Sequence, residues 1–270
     1  MRSSLRVCGL AALFACSSAH GAEISYIDSE LVFHQKVPGP GIPLFSGDIV
    51  RGDYARLLGT IFESRHDFFI NNWIFIASDG GDVREAIKIA GLLKSLYSTV
   101  VVYPATGRCV SACFLIYAAA NQRASDNEKL IGIHRPYIVD HELASMSPAQ
   151  AEREQNKVLA QAREFLKSNS VPDYLIEEMF RRSSKDVYWL SADDLERLGF
   201  QSPWFNQYLV ATCGWTAKYP WEELRPEVLK CKKGFTERAA QDALDKAATE
   251  YHKSYGQLPG SHALSSSNRN

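Results

Sequence analysis

The chain has 270 residues, 46% of them hydrophobic and 23% charged, with a net charge of −1. That length and apolar content are enough for one large or two small domains with a real core, without help from metals or disulfide staples. The near-neutral balance gives no overall basic field and excludes nucleic acid as an expected partner.

At the start, Arg2 and Arg6 precede the apolar run Val7 to Cys16, and small residues follow at Ser17, Ala19, Gly21 and Ala22. This is the pattern of a secretory signal peptide, too short to span a bilayer, with cleavage expected after Ala19 or Gly21. Residues 1–21 are therefore read as a leader, and the expected location is periplasmic or secreted. Leu13-Phe14-Ala15-Cys16 also has the form of a lipoprotein box, although Phe14 is bulky for one; a membrane enters only if Cys16 is lipidated. No later stretch reaches the roughly 18 apolar residues of a spanning helix.

Ile24 to Lys36 alternates weakly and predicts entry strands, broken at Pro38-Gly39-Pro40-Gly41. Ile49 to Ser64 carries Tyr54, Leu57, Leu58 and Ile61 at helical spacing. The run Trp73-Ile74-Phe75-Ile76-Ala77 has the length and continuous apolarity of a strand covered on both faces. After the turn Ser78-Asp79-Gly80-Gly81, Asp82 is placed to cap a helix whose inward stripe is Val83, Ala86, Ile87, Ala90 and Leu93. Thr99 to Tyr103 predicts the next strand, Ser111 to Ala120 a helix, and Leu130 to His134 a third strand reached through a loop. Strands alternating with helices predict an α/β fold with mainly parallel pairing, whose right-handed crossovers bring Ala77, His134 and the loop before Ser111 to one sheet edge.

Farther on, Pro148 to Lys167 predicts a long charged helix with a thin stripe of Val158, Leu159, Ala162, Phe165 and Leu166. Pro172 starts another helix, and Ser191-Ala192-Asp193-Asp194 is a capping-box start to a short helix ended by Gly199. A tail helix is expected from Thr236 to Tyr255, with disorder from Gly260 to Asn270. The organisation read from this is an α/β domain over 22–200, a C-terminal extension over 201–259 and a tail over 260–270.

Loss of Cys8 and Cys16 with the leader leaves Cys109, Cys113, Cys213 and Cys231, an even number that an oxidising compartment pairs readily. The expected pairs are Cys213 with Cys231 and Cys109 with Cys113. Four-residue spacing at a helix start puts the α-carbons about 6 Å apart, inside disulfide range. Free buried thiols are the alternative for the close pair.

Chemistry concentrates between Ile74 and Pro136. A serine hydroxyl needs a base to take its proton, and the tetrahedral anion that follows needs rigid donors. Ser111 stands where a helix begins, beside unpaired N–H groups and the positive end of the helix dipole. Thr106 or Gly107 is placed to cap that helix instead, freeing the Ser111 hydroxyl. Gly80 and Gly81 offer backbone donors that substrate approaches closely, and His134 supplies the base. Each piece alone has an ordinary structural reading, as cap, turn or buried imidazole; their order is what suggests a serine acyl-transfer site.

With these motifs in view, Ile76 to Pro136 resembles the core of the Clp protease proteolytic subunit and its ClpP/crotonase relatives. The matching pieces are Ser78-Asp79-Gly80-Gly81, Val110-Ser111-Ala112 and Ile133-His134-Arg135-Pro136. The resemblance implies a spiral of mainly parallel strands with flanking helices. It puts the nucleophile on Ser111, the base on His134 and oxyanion donors on Gly80 and Ala112, with Gly81 adjoining. Lys185-Asp186-Val187-Tyr188-Trp189-Leu190-Ser191-Ala192 resembles the stretch carrying the family's acid, one residue longer, so Asp186 is expected to orient His134; Asp126, Asp140 and Asp173 are the alternatives. The family usually has proline at Asp79 and small residues at Cys109 and Cys113. The implied activity is peptide-bond hydrolysis on a peptide or protein substrate, with no cofactor and no metal. The long helix at 148–167 occupies the place of the family's inter-ring handle, implying a homo-oligomer. A scaffold whose site is closed by a Cys109–Cys113 bridge is the non-catalytic alternative. Thioester chemistry of the crotonase kind fits a secreted chain less well.

Overall fold

The computed structural model describes residues 21–28, 30, 41–125, 129–138, 140–218 and 222–259. The leader through His20 with its Cys16 box, Asp126, and the tail from Gly260 lie outside the described residues.

Two sheets share the chain. The larger is built from β1 (Glu23–Ile27), β2 (Ile42–Ser46), β3 (Trp73–Ala77), β4 (Thr99–Val102) and β6 (Gln122–Ser125), in that spatial order. Only β1 is antiparallel to its neighbour; the β2–β3, β3–β4 and β4–β6 pairs are all parallel. The smaller sheet has the order β5 (Cys109–Val110), β7 (Ile131–Ile133), β8 (Tyr188–Trp189), with β5 and β7 parallel and β8 antiparallel to β7. The single edge expected from the sequence is thus shared between two sheets, because β5 and β7 leave the large sheet to pair with each other. An isolated bridge, Ser78 with Cys109, joins the two where the functional segments begin.

Helices α1 (Asp53–Glu63), α2 (Arg65–Asn71), α3 (Val83–Ser95) and α4 (Ala112–Ala119) bury the first half of the core. Asp82 caps α3 by accepting from the Glu85 N–H, and Val83, Ala86, Ala90 and Leu93 are buried along the predicted stripe. Every residue of α4 is buried, so it is a central helix with no solvent face. Beyond the smaller sheet's first strands come α5 (Asp140–Leu143), α6 (Pro148–Ser168), α7 (Asp173–Arg181) and α8 (Ala192–Leu198). The Ser191 capping box is present, with its side chain and that of Asp194 bonding reciprocally.

Two elements differ from the sequence expectation. Gln122–Ser125 was expected to be loop and is strand β6, fully buried. Its polar residues hide it from a hydrophobic pattern, and the reason they are tolerated is Arg123. That guanidinium, 0% exposed, donates to the carbonyls of Ala118, Leu198 and Gly199 at the C-terminal ends of α4 and α8. Carbonyl ends of helices carry partial negative charge and stand in for a counter-ion; burial nevertheless pulls Arg123 down to about 10. The tail helix also begins earlier than Thr236: α9 (Pro203–Cys213) is followed by α10 (Pro226–Tyr255). The Cys213–Cys231 disulfide ties these two together, and Ala240, Leu244 and Ala248 of α10 enter the main core.

Candidate active site

The diglycine turn is sewn to the strand that carries the serine. Ser78 N–H donates to the Arg108 carbonyl and Val110 N–H to the Ser78 carbonyl, both at 2.8 Å. On its other side, Ile49 N–H donates to Gly80 O and Asp82 N–H to Ile49 O, also at 2.8 Å. Gly80 has φ 112° and Gly81 φ 135°, values that side chains rarely tolerate. A β-carbon at Gly81 would collide with the Ile49 carbonyl.

Ser111 stands between β5 and α4 with φ 59° and ψ −122°. A non-glycine residue held there costs about 1–3 kcal/mol and persists only where its surroundings impose it, commonly at functional sites. Its N–H is anchored to the Gly132 carbonyl of β7 at 3.0 Å. The Ser111 side chain makes no cap bond to α4. Thr106, expected as the substitute cap, turns its hydroxyl to the Tyr103 carbonyl instead. Helix α4 therefore starts without a side-chain cap. Among the described residues, the Ser111 hydroxyl and the N–H groups of Gly81 and Ala112 have no hydrogen-bond partner. Gly80 was expected as a donor, but its N–H is taken by Ser78 Oγ at 3.1 Å. The free donors beside the serine are those of Gly81 and Ala112.

Cys109 and Cys113 are bonded, with α-carbons 5.3 Å apart. Both are 0% exposed and belong to the main core cluster. The bridge is buried, since Cys109 is a buried strand residue and Cys113 belongs to a helix with no solvent face.

His134 follows the end of β7, next to the strand position that anchors Ser111. Its Nδ1 lies 3.1 Å from the Arg135 carbonyl oxygen. A carbonyl only accepts, so Nδ1 carries the proton and Nε2 is left with its lone pair free to act as base. The segment beyond is clamped: Arg135 N–H donates to Arg182 O, and the Gln155 amide of α6 bonds both Pro136 O and Ile138 N–H. Ser111 is 8% and His134 5% exposed, and among the described residues no hydrogen bond joins them. Such bonds often tighten only when substrate is bound.

Asp186 does not reach His134. Its carboxylate accepts from Arg182 Nη1 at 2.9 Å and is 57% exposed. The register explains the miss: β7 and β8 pair Gly132 with Trp189 and Ile133 with Tyr188. One step further sets Val187, not Asp186, opposite His134, and a one-residue offset in an extended chain puts a side chain on the other face. Of the alternatives, Asp173 is exposed in the first turn of α7 and Asp140 opens α5.

One pair at the rim was not foreseen. Arg108 grips Asp79 through Nε to Oδ1 at 2.6 Å and Nη2 to Oδ2 at 3.1 Å, while its guanidinium lies 5.8 Å from the Trp189 ring centre. The Arg108 bonds hold the Asp79 carboxyl below the usual carboxylate range. The only sequence sign was an acid standing where the resembling family has proline. Cavities of about 360, 400 and 190 Å³ open around Trp215, around His66 and between Trp73 and Lys232; none is lined by Ser111 or His134. No metal-binding cluster and no helix long and apolar enough to cross a membrane occur among the described residues.

A family model described as Clp protease matches residues 69–202, a span that contains the turn, the serine, the histidine and Asp186. Over residues 69–202 the chain is ClpP-like. The ClpP-like region takes in β3 through α8. Among solved structures, a mutant of ClpP1 from Listeria monocytogenes is similar at 22% identity and a TM-score of 0.40, covering 58% of this chain and 86% of that one. No curated protein matches the chain. The ClpP-like fold is mixed α/β, with a mostly parallel sheet, flanking helices and a C-terminal helix.

Proposed function

We propose that this ClpP-like protein is a serine peptidase that cleaves peptide bonds through an acyl-enzyme on Ser111. The observation that carries the reading is the elbow itself: an uncapped serine at φ 59°, beside a close-packed glycine and two unbonded backbone N–H groups. Ser111 Oγ attacks the peptide carbonyl while His134 Nε2 takes its proton, and the Gly81 and Ala112 N–H groups receive the developing oxyanion. Collapse expels the amine, which collects the proton from His134; water then repeats the cycle and releases the acid. Arg135 O fills the orienting role expected of Asp186, fixing the tautomer by accepting from Nδ1.

We place the mature chain in an oxidising compartment outside the cytoplasm, since all four cysteines among the described residues are paired. The exposed, charge-rich side of α6 supports self-association, which light scattering checks. A closed scaffold draws on the burial of Ser111 and His134. One experiment decides between the two: a fluorophosphonate probe should label the wild type and leave S111A and H134A unlabelled. Wild-type protein that takes no label overturns the peptidase reading in favour of the scaffold.

A further inference from the structure

The strained serine is the middle residue of a five-residue loop closed by a disulfide. Cys109 lies in β5, whose register with β7 sets where Ser111 stands relative to His134. Cys113 lies in the first turn of α4, the turn that also carries the unbonded N–H of Ala112. The Cys109–Cys113 bond thus joins β5, the strand paired with the one that leads to the base, to the helix whose first turn holds the oxyanion donor, with the nucleophile between them. Backbone bonds hold the strand before the serine, but at Ser111 itself the side chain makes no cap bond, and the backbone is tied by its N–H to Gly132 O and by Phe114 N–H to its own carbonyl.

We infer that this disulfide is a positioning element for Ser111, so that the site becomes competent only when the bond has formed. The inference rests on Ser111 being the nucleophile. With both thiols reduced, the non-glycine residue at φ 59° is free to relax toward negative φ and carry its hydroxyl off the attack position. Both sulfurs are buried in the core, so the bond is made as the chain folds and is shielded afterwards. The chemistry balances against a disulfide oxidant, either oxidised glutathione or a thiol–disulfide exchange protein. One cysteine thiolate attacks the oxidant's disulfide and releases a thiol; the second thiolate then displaces the other. Two electrons pass to the oxidant, and its two thiols carry away the protons. A chain still in a reducing cytoplasm is therefore latent, and oxidation after export switches it on.

The test compares oxidised wild type, C109A/C113A, and C213A/C231A, whose lost bridge lies between α9 and α10. Fluorophosphonate labelling is followed against pH, well below each melting temperature. C109A/C113A should stay folded and label about tenfold or more slowly at the plateau, with the shape of its pH profile unchanged, while C213A/C231A keeps the wild-type rate. Should C109A/C113A fail to fold, wild type refolded from denaturant in dithiothreitol is compared with wild type refolded in oxidised glutathione, and the oxidised preparation should label faster. Equal labelling with and without the bond overturns the positioning role. Oxidised wild type that never labels overturns the nucleophile reading itself, and this inference with it.

Discussion

Gly80 and Ser111 are in contact across the turn: a β-carbon on Gly80 would lie 2.6 Å from the Ser111 β-carbon and 3.1 Å from its hydroxyl oxygen. The glycine therefore sets how far the nucleophile can lean toward the turn. Gly80→Ala both strains a backbone at φ 112° and pushes the serine aside. Its labelling by a fluorophosphonate should fall by about a hundredfold or more, nearly 3 kcal/mol of lost transition-state stabilisation, with a lower melting temperature. Wild-type labelling in this variant would show that Ser111 does not react from its observed position.

Asp186 gives the opposite expectation. An acid that holds a catalytic histidine is worth about 10⁴ in rate, but the Asp186 carboxylate is paired with Arg182 and half in solvent. Asp186→Asn should change labelling by less than about threefold, measured as a full pH–rate profile. A drop of the larger size would mean that substrate pulls the β7–β8 edge into a new register.

Arg123 is the most consequential buried charge. Arg123→Met removes three charge-assisted bonds and leaves the carbonyls of Ala118, Leu198 and Gly199 without their donor. Stability should fall by about 3–5 kcal/mol, read from urea unfolding. A loss under about 1 kcal/mol would mean that water satisfies these helix ends.

Acid should loosen the C-terminal region through Glu223. Its buried carboxylate is gripped by Arg225 Nε and Nη2, while Arg225 also bonds the Gly214 carbonyl and Thr216. The Arg225 bonds pull Glu223 down to about 2. A depressed carboxyl binds its proton more weakly folded than unfolded, so this contribution is complete above about pH 5 and fades as pH falls toward 2. Melting curves from pH 7 to 2 should show wild type losing more than Arg225→Gln; parallel curves would refute the coupling.

Breaking the Cys213–Cys231 bridge should act on stability alone. Closing a loop of this length is worth about 3 kcal/mol through the unfolded chain. C213A/C231A should melt lower, by differential scanning calorimetry, with its probe labelling intact.

Local chemistry made much of this legible in advance. Asp82 and the Ser191 box cap their helices as their residue types require, and Ile74 to Ala77 are buried as a continuous apolar run must be, with Trp73 partly covered. Ser111, the diglycine and His134 stood out because a turn, a helix start and a strand end each impose recognisable residues. Strand β6 did not, since Gln122 and Arg123 are polar and their burial is justified only by carbonyls 5 to 76 residues away in the chain. Likewise the partners of Asp79 and Asp186 were invisible: an aspartate's identity does not say which arginine it will meet.

What the amino-acid order determined by itself was the set of local conformations, because capping, apolar period and glycine's positive φ act over a few residues. Tertiary structure alone decided that β5 and β7 form their own sheet, that Gly80 N–H is taken by Ser78, and that a carbonyl rather than Asp186 holds His134. Those outcomes hang on register and face, where a shift of one residue reverses a side chain's direction, and register is settled only when distant segments pack together.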